Sequence, residues 1–465
     1  MPSAQILPSS TEVSEELTLP IKSKKVGAPR LDPYDRLLNR LFEPLHLLKI
    51  IGQTRERHTS EPRGTNESET NRRSFLQALA YLCDFQKGGP SCTSIGVEDA
   101  QSQYIFWVAS NDDTCGERIA SFLYKVLRLL QGIDAAASIG DDAEPIKRTL
   151  VRFCILFANR RVTAEAGNLR KAIVQCNAHL EKKGMDPTHE VLQALQNLHL
   201  HVNDNIHLCC AAWRAAQSNS MVVLSAEARR EERLRGPNDM PGPFSRAQHS
   251  IGRLAYRVHA CKQLFRHAGS VSPLLDQFEV RLIPRAEGVS PPLHDGHTSL
   301  RGILNRMLRP DDPKRQEIEE NLIKMDRDSG IFRQFMKNLT RCEPVVHAEI
   351  QCLEHFSKGR LNFAYNDRFI AISKPACLCC KLYFQHHPAR MVIPQSHEKV
   401  WPNWSPPRLE TFTKGDVDSD VQRDVLNKIT EALRNDVVAQ VLRCSQPAAW
   451  HADSVTGLTA LGTSR

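Results

Sequence analysis

The sequence predicts an α/β domain cut in two by a large α-helical insertion. Three observations carry this expectation. Residues 73–110 alternate between helix and strand patterns. Residues 112–340 are dominated by the 3.6-residue apolar period of amphipathic helices. From 341 to 445 the alternating texture returns. The order is helix–strand–strand, insertion, then helix–strand–helix–strand–helix.

The chain begins with a Ser-, Pro- and Lys-rich stretch, 1–30, that has no periodicity and reads as disordered. "RLLNRLFEPLHLLKII" (36–51) has helical spacing broken by Pro44, which suggests a short helix pair. Residues 52–72 are polar and read as linker, so 1–72 is expected to hold only this helical segment. In 73–86, Phe75, Leu76, Leu79, Leu82 and Cys83 fall on one helical face, and "KGGP" (87–90) ends the helix. "SCTSIGVE" (91–98) and "QYIFWVAS" (103–110) are β-branched or aromatic and read as two strands joined by a turn.

Within 112–340, helices are expected at 117–133, 144–161, 189–217, 251–267 and 313–339. A loop is expected at 225–245, and "FEVRLIPR" (278–285) is a candidate strand. In 341–445, the pattern gives a helix from Val345 to Lys358, strands at 368–373 and 389–394, a helix at 376–387 and a long amphipathic helix at 417–443. The tail, 446–465, is again expected to be unstructured.

Composition bounds the function. The chain has 465 residues, 41% hydrophobic and 25% charged, which is ordinary for globular domains. No run approaches eighteen consecutive apolar residues, and the start lacks the basic and apolar regions of a secretory signal. The expected setting is intracellular, cytoplasmic or nuclear, without a membrane. There the 14 cysteines read as free thiols or metal ligands rather than disulfides. A net charge of +8 permits nucleic-acid binding without requiring it. The Lys/Arg excess in 227–266 is either a track for a phosphate backbone or a solvated face. No feature sets an oligomeric state.

The chemistry-bearing pattern is His347-Ala348-Glu349 opening one helix and Cys377-Leu378-Cys379-Cys380 opening the next. Cys377 and Cys380 are i and i+3, so they share a helical face. A helix N-terminus favours their thiolates, the ligand form. His347 supplies a third ligand and leaves a tetrahedral zinc ion one position for water. Glu349 is then free to carry protons. H-x-E followed by C-x-x-C is the pattern of zinc deaminases. H-x-E also occurs at His179–Glu181, with no cysteine pair in reach. Two competing readings remain. His347 and Glu349 also suit an ordinary helix start. A closed structural zinc site using Cys377, Cys379 or Cys380 with His386 or His387 is the other.

"FLQALAYLCDFQKGGPSCTSIGVED…QYIFWVASN", "VHAEIQCLEHF", "AISKPACLCCKLY" and "SHEKVWPNW" together resemble the OTT-type fungal deaminase-like family of the cytidine-deaminase-like superfamily. The likeness covers about 73–111 and 340–440. It implies a three-layer α/β/α fold with the helical insertion between the second strand and the His-Ala-Glu helix. It also implies a zinc-dependent hydrolase that deaminates a nucleobase, nucleotide or nucleic acid. On that reading His347, Cys377 and Cys380 hold Zn2+, an activated water is the nucleophile and Glu349 is the proton shuttle. An inactive zinc-stabilised scaffold is the alternative. One departure is that proline stands two residues before the first cysteine, as Pro375-Ala376-Cys377, rather than next to it.

The resemblance also makes Asn111, at the end of the second strand, a candidate contact to sugar or base, with a capping or turn role competing. Trp401 and Trp404 are candidates to stack on a base, with packing competing. Trp107, Cys352, His355 and Cys379 read as packing residues.

Overall fold

A computed structural model of the chain describes residues 31–52, 58–60, 62–182, 184, 186, 190–234, 241–292 and 298–443. The expected unstructured ends at 1–30 and 446–465 lie outside the described residues. No described helix is long and apolar enough to cross a membrane.

The protein is mixed α/β, with one small sheet among many helices. Helix α1 (Pro33–Ile51) runs unbroken through Pro44, so the expected helix pair is a single helix. Helix α2 (Glu67–Cys83) begins within the stretch read as linker. The Asn66 side chain accepts the Glu69 N–H at 2.9 Å while Glu69 accepts the Thr65 N–H at 2.9 Å. This reciprocal capping starts the helix earlier than its apolar face does.

Strands β1 (Thr93–Asp99) and β2 (Tyr104–Ser110) form an antiparallel hairpin that sets Thr93 opposite Ser110 and Asp99 opposite Tyr104. Seven helices follow: α3 (Asp113–Ile139), α4 (Glu144–Phe157), α5 (Asn159–Lys182), α6 (Glu190–Leu200), α7 (Asn205–Ala216), α8 (Asn219–Arg233) and α9 (Pro243–His267). Helix α9 is the hub, packed against α2, α4, α5, α7 and α8. The helix read at 189–217 is two helices, and part of the loop read at 225–245 is the end of α8.

After the short α10 (Ser272–Asp276) comes β3 (Phe278–Leu282), which pairs in parallel with β2, Tyr104 against Phe278. The segment 112–340 is therefore not wholly helical: it supplies an edge strand of the sheet. Next come α11 (Leu300–Met307), α12 (Arg315–Ser329) and α13 (Ile331–Thr340). Gly330, at φ 63°, splits the single helix expected at 313–339. The left-handed region suits glycine and ends a helix.

The last part holds α14 (Ala348–Gly359), β4 (Ala371–Ile372), α15 (Leu378–His386) and α16 (Val417–Arg443). The sheet order is β3-β2-β1-β4, with β4 antiparallel to β1. The strand expected at 368–373 shrinks to two residues. The strand expected at 389–394 does not form, and only the Val392 N–H reaches back, to the Arg368 carbonyl at 3.0 Å. Pro388 and Pro394 lack ladder donors, and Arg390 is left-handed at φ 48°. These override the β preference of Met391, Val392 and Ile393.

Helices cover both faces of the sheet. Ile95, Val97, Phe106 and Val108 join the core of α2, α3 and the helices through α9. Ala109 and Ile372 join the core of α1 and α11 to α16. Gly96 lets α14 lie close, because a Cβ there would meet the Phe356 ring at 2.5 Å and Cys352 Sγ at 3.0 Å. That approach fixes the height of α14 above the hairpin, and with it His347 and Glu349 at its start.

Candidate metal centre

Each ligand-type side chain stands at the start of a helix. His347 is the residue before α14 and has extended backbone, φ −71° and ψ 149°. Cys377 caps α15, and its Sγ accepts the Cys380 N–H at 3.5 Å. One segment, 395–405, pins the first turns of α14 and α15 alike. Ahead of α14, the Val345 N–H donates to the Asn403 carbonyl at 2.8 Å, and the Ser405 N–H to the Val345 carbonyl at 3.0 Å. Ahead of α15, the Ala376 N–H donates to the Gln395 carbonyl at 2.7 Å, and the Leu378 N–H to the Lys399 carbonyl at 3.0 Å.

The start of α14 is also tied to the sheet. Ala348 N–H donates to Asn111 Oδ1 at 2.8 Å, and Ser94 Oγ donates to the Ala348 carbonyl at 2.8 Å. Gln351 Nε2 donates to the Ser110 carbonyl at 3.1 Å and the Val346 carbonyl at 2.9 Å. The first turn of α14 cannot shift without breaking these bonds.

The result is a convergence. His347, Cys377 and Cys380 form the one group of three His, Cys, Asp or Glu found among the described residues that can hold a metal ion, with ligand atoms within 4.8 Å of one another. His347 Nδ1 lies 3.7 Å from Cys377 Sγ and 3.3 Å from Cys380 Sγ. A tetrahedral zinc ion with ordinary bond lengths needs nitrogen–sulfur separations of about 3.5 Å. The donor set, its spacing and its burial therefore fit zinc. Glu349 Oε1 is 3.9 Å from His347 Nδ1, with its side chain largely buried.

Cys377 and His347 are set as a charge pair. Burial alone raises the Cys377 thiol, but a hydrogen bond from Cys380 and the charge of His347 bring it below the ordinary thiol range. Burial lowers His347, but the adjoining Cys377 thiolate outweighs it and holds the imidazole above its usual range. Burial pushes the Cys380 and Cys379 thiols well up.

The closed-site alternative finds no geometry. Cys379 is buried apart from the group, and His386 and His387 lie at the other end of α15. His387 Nε2 instead faces Glu354 at 3.3 Å. His179 and Glu181 lie exposed at the end of α5.

The candidate substrate contacts each have partners within the protein. Asn111 has its oxygen on Ala348 and donates Nδ2 to the Gly89 carbonyl at 3.1 Å, so its amide is a positioning bracket between the start of α14 and the loop after α2. Trp404 is 0% exposed and offers no ring face to a base. Its indole N–H donates to Cys380 Sγ at 3.1 Å. Trp401 is 41% exposed and donates to His397 Nε2 at 3.3 Å. Trp107 donates to Glu98 at 2.6 Å and its ring lies against His355, with centroids 4.2 Å apart.

Sequence reading missed a buried ionic cluster beside the site. Asp84 is 0% exposed. It pairs with Arg161 and with Lys374 Nζ at 3.2 Å, while Arg257 donates to its carbonyl at 2.5 Å. Burial opposes the Asp84 charge, but Lys374 and Arg161 hold its carboxyl below the ordinary range. Lys374 also lies 3.2 Å from Cys92 Sγ. Three residues before Cys377, Lys374 thus connects the metal-site loop to α5 and α9. Arg253 likewise pairs inward, with Glu165 at 3.2 Å. Part of the basic excess in 227–266 is spent on these internal contacts and not on a solvated face. These partners are 77 to 290 positions apart in the chain, and no local spacing announces them.

Residues 346–408 match the family model described as OTT_1508-like deaminase. This segment is deaminase-like. It holds His347, Glu349, Cys377, Cys380 and Trp404, together with the 395–405 segment that pins the starts of α14 and α15. No curated protein and no solved structure matches the chain.

Proposed function

We propose that this protein is a zinc-dependent hydrolytic deaminase of an amino-bearing nucleobase, free or within a nucleotide or nucleic acid. One observation carries the reading: a His/Cys/Cys donor set of zinc dimensions, with Glu349 Oε1 3.9 Å from the histidine ligand atom, inside the deaminase-like segment. The helix–sheet–helix stacking is then read as a cytidine-deaminase-like one. The intracellular setting is supported by thirteen described cysteines that are all free.

His347, Cys377 and Cys380 would hold the zinc ion, which supplies a Lewis acid for activating water. Glu349 moves the protons. In hydrolysis the water oxygen bonds to the amino-bearing ring carbon and the carbon–nitrogen bond breaks. One water proton ends on the ring nitrogen and the other on the leaving amine, which departs as ammonia. A carboxylate beside the reacting centre can carry both in turn. Asn111, Ser94 and Gln351 keep the start of α14 in register with the sheet, so that Glu349 keeps its place.

Zinc content and ammonia release, measured on wild type and Glu349→Ala with a panel of bases, nucleosides, nucleotides and single strands, test the proposal. The expected result is a variant that keeps zinc and loses turnover. A wild type that binds zinc and releases no ammonia from the whole panel would replace this reading with the inactive scaffold.

A further inference from the structure

We propose that Trp404 is a positioning residue for the metal centre, a donor that fixes the Cys380 thiolate and withdraws charge from it. The inference rests on the zinc reading above. A fully buried indole N–H requires an acceptor. The acceptor here is Cys380 Sγ at 3.1 Å, the same atom that lies 3.3 Å from His347 Nδ1. The residue is held on two sides. Its backbone bridges Val345, two residues before His347, and its backbone N–H donates to the Trp401 carbonyl at 3.0 Å. Its ring lies near Tyr383 of α15, with centroids 6.1 Å apart.

The two cysteines explain why a side chain is used. Cys377 caps its helix and receives an N–H from the α15 backbone. Cys380 lies inside the first turn, and the donor to its sulfur comes from Trp404, 24 residues downstream. With two thiolates, the Glu349 carboxylate and a dication, the buried site carries one net negative charge. Donors to sulfur spread that charge and orient the ligand, as outer partners of metal ligands generally do. A tryptophan that served packing alone would not need its one polar atom on a ligand.

Trp404→Phe in the full chain removes the N–H and keeps the aromatic packing. Zinc affinity, measured by competition with a chromophoric chelator, is expected to fall about 10- to 100-fold. In the cobalt-substituted protein the thiolate-to-metal charge-transfer band is expected to move to longer wavelength, since the sulfur regains electron density. Unchanged affinity and an unmoved band, with only the thermal stability of the metal-free protein lowered, would overturn the inference and assign Trp404 to packing. A wild type that binds no zinc overturns the metal reading itself, which is a different result. Should the variant fail to fold, wild type loaded with NMR-active cadmium decides. A scalar coupling between the Trp404 indole proton and the metal supports the bond through Cys380, and its absence overturns it.

Discussion

The tripeptide pattern H-x-E stands twice in this chain, and its two settings are opposites. His347 and Glu349 open α14, where the helix N-terminus faces the site and the start of α15 brings Cys377 and Cys380 within reach. His179 and Glu181 lie in the last turn of α5, both exposed, and His179 meets the edge of Phe244, with centroids 5.4 Å apart. At a helix start the dipole stabilises thiolates and carboxylates; at a helix end it opposes them. The pair teaches that three residues carry no chemistry by themselves. Their place on the helix, and what the fold sets against them, decides.

The contrast breaks most sharply at the carboxylates. Glu349→Ala is expected to lower ammonia release by about 10²- to 10⁴-fold with zinc retained. Glu181→Ala is expected to leave both unchanged in the same assay. An equal loss in the two variants would dissolve the distinction. The ligands come next. Cys380→Ser is expected to cut bound zinc severely, as read by metal analysis after dialysis, whereas Cys379→Ser keeps it.

A change at the sheet tests whether the height of α14 matters. Gly96→Val drives a side chain into Phe356 and Cys352, at an expected cost of about 1–3 kcal/mol in denaturant unfolding and a weakened metal site. Gly269→Ala, in open space just after α9, is expected to be near neutral.

A third histidine extends the comparison to an imidazole that is fully buried. His46 in α1 is 0% exposed, lies near Phe42 and Phe335, and neither ring nitrogen has a described hydrogen-bond partner. Burial lowers its pKa to about 4. The unfolded chain takes up this proton first, so the contribution is whole above about pH 6.5 and declines as pH falls toward 4, by about 3 kcal/mol in all. His46→Phe is expected to flatten that part of the stability–pH curve, measured by urea unfolding. A curve of unchanged slope would place the acid sensitivity elsewhere. A smaller loss, about 1 kcal/mol, is expected at Asn111→Ala, which removes the bracket on Ala348. Thermal unfolding reads it.

Much of the fold was legible because its signals are local. The apolar face of α2, the hairpin and α14 to α16 follow from periodicities within single segments. The His/Cys/Cys set was legible because i, i+3 spacing and helix starts are short-range features. What the local signals did not give has more than one cause. β3 was read as a candidate strand, but its place in the sheet depends on a strand some 170 positions away. The stretch 389–394 has strand composition but is flanked by prolines and carries a left-handed Arg390. Trp404 was legible as an aromatic near the site, yet its role depends on which atom its N–H meets.

The sequence by itself determined the candidate ligand types, the carboxylate beside them and the helix starts that present them, since each is written in fewer than a dozen consecutive residues. Only the tertiary structure decided that β3 joins the sheet, that Asp84 ties α5 and α9 to the loop before Cys377, and that the Trp404 indole N–H meets Cys380 Sγ. Those contacts join residues 24 to 290 positions apart. They are fixed by the demand that buried charges and donors find partners, and which partner is in reach is set only once the layers have packed.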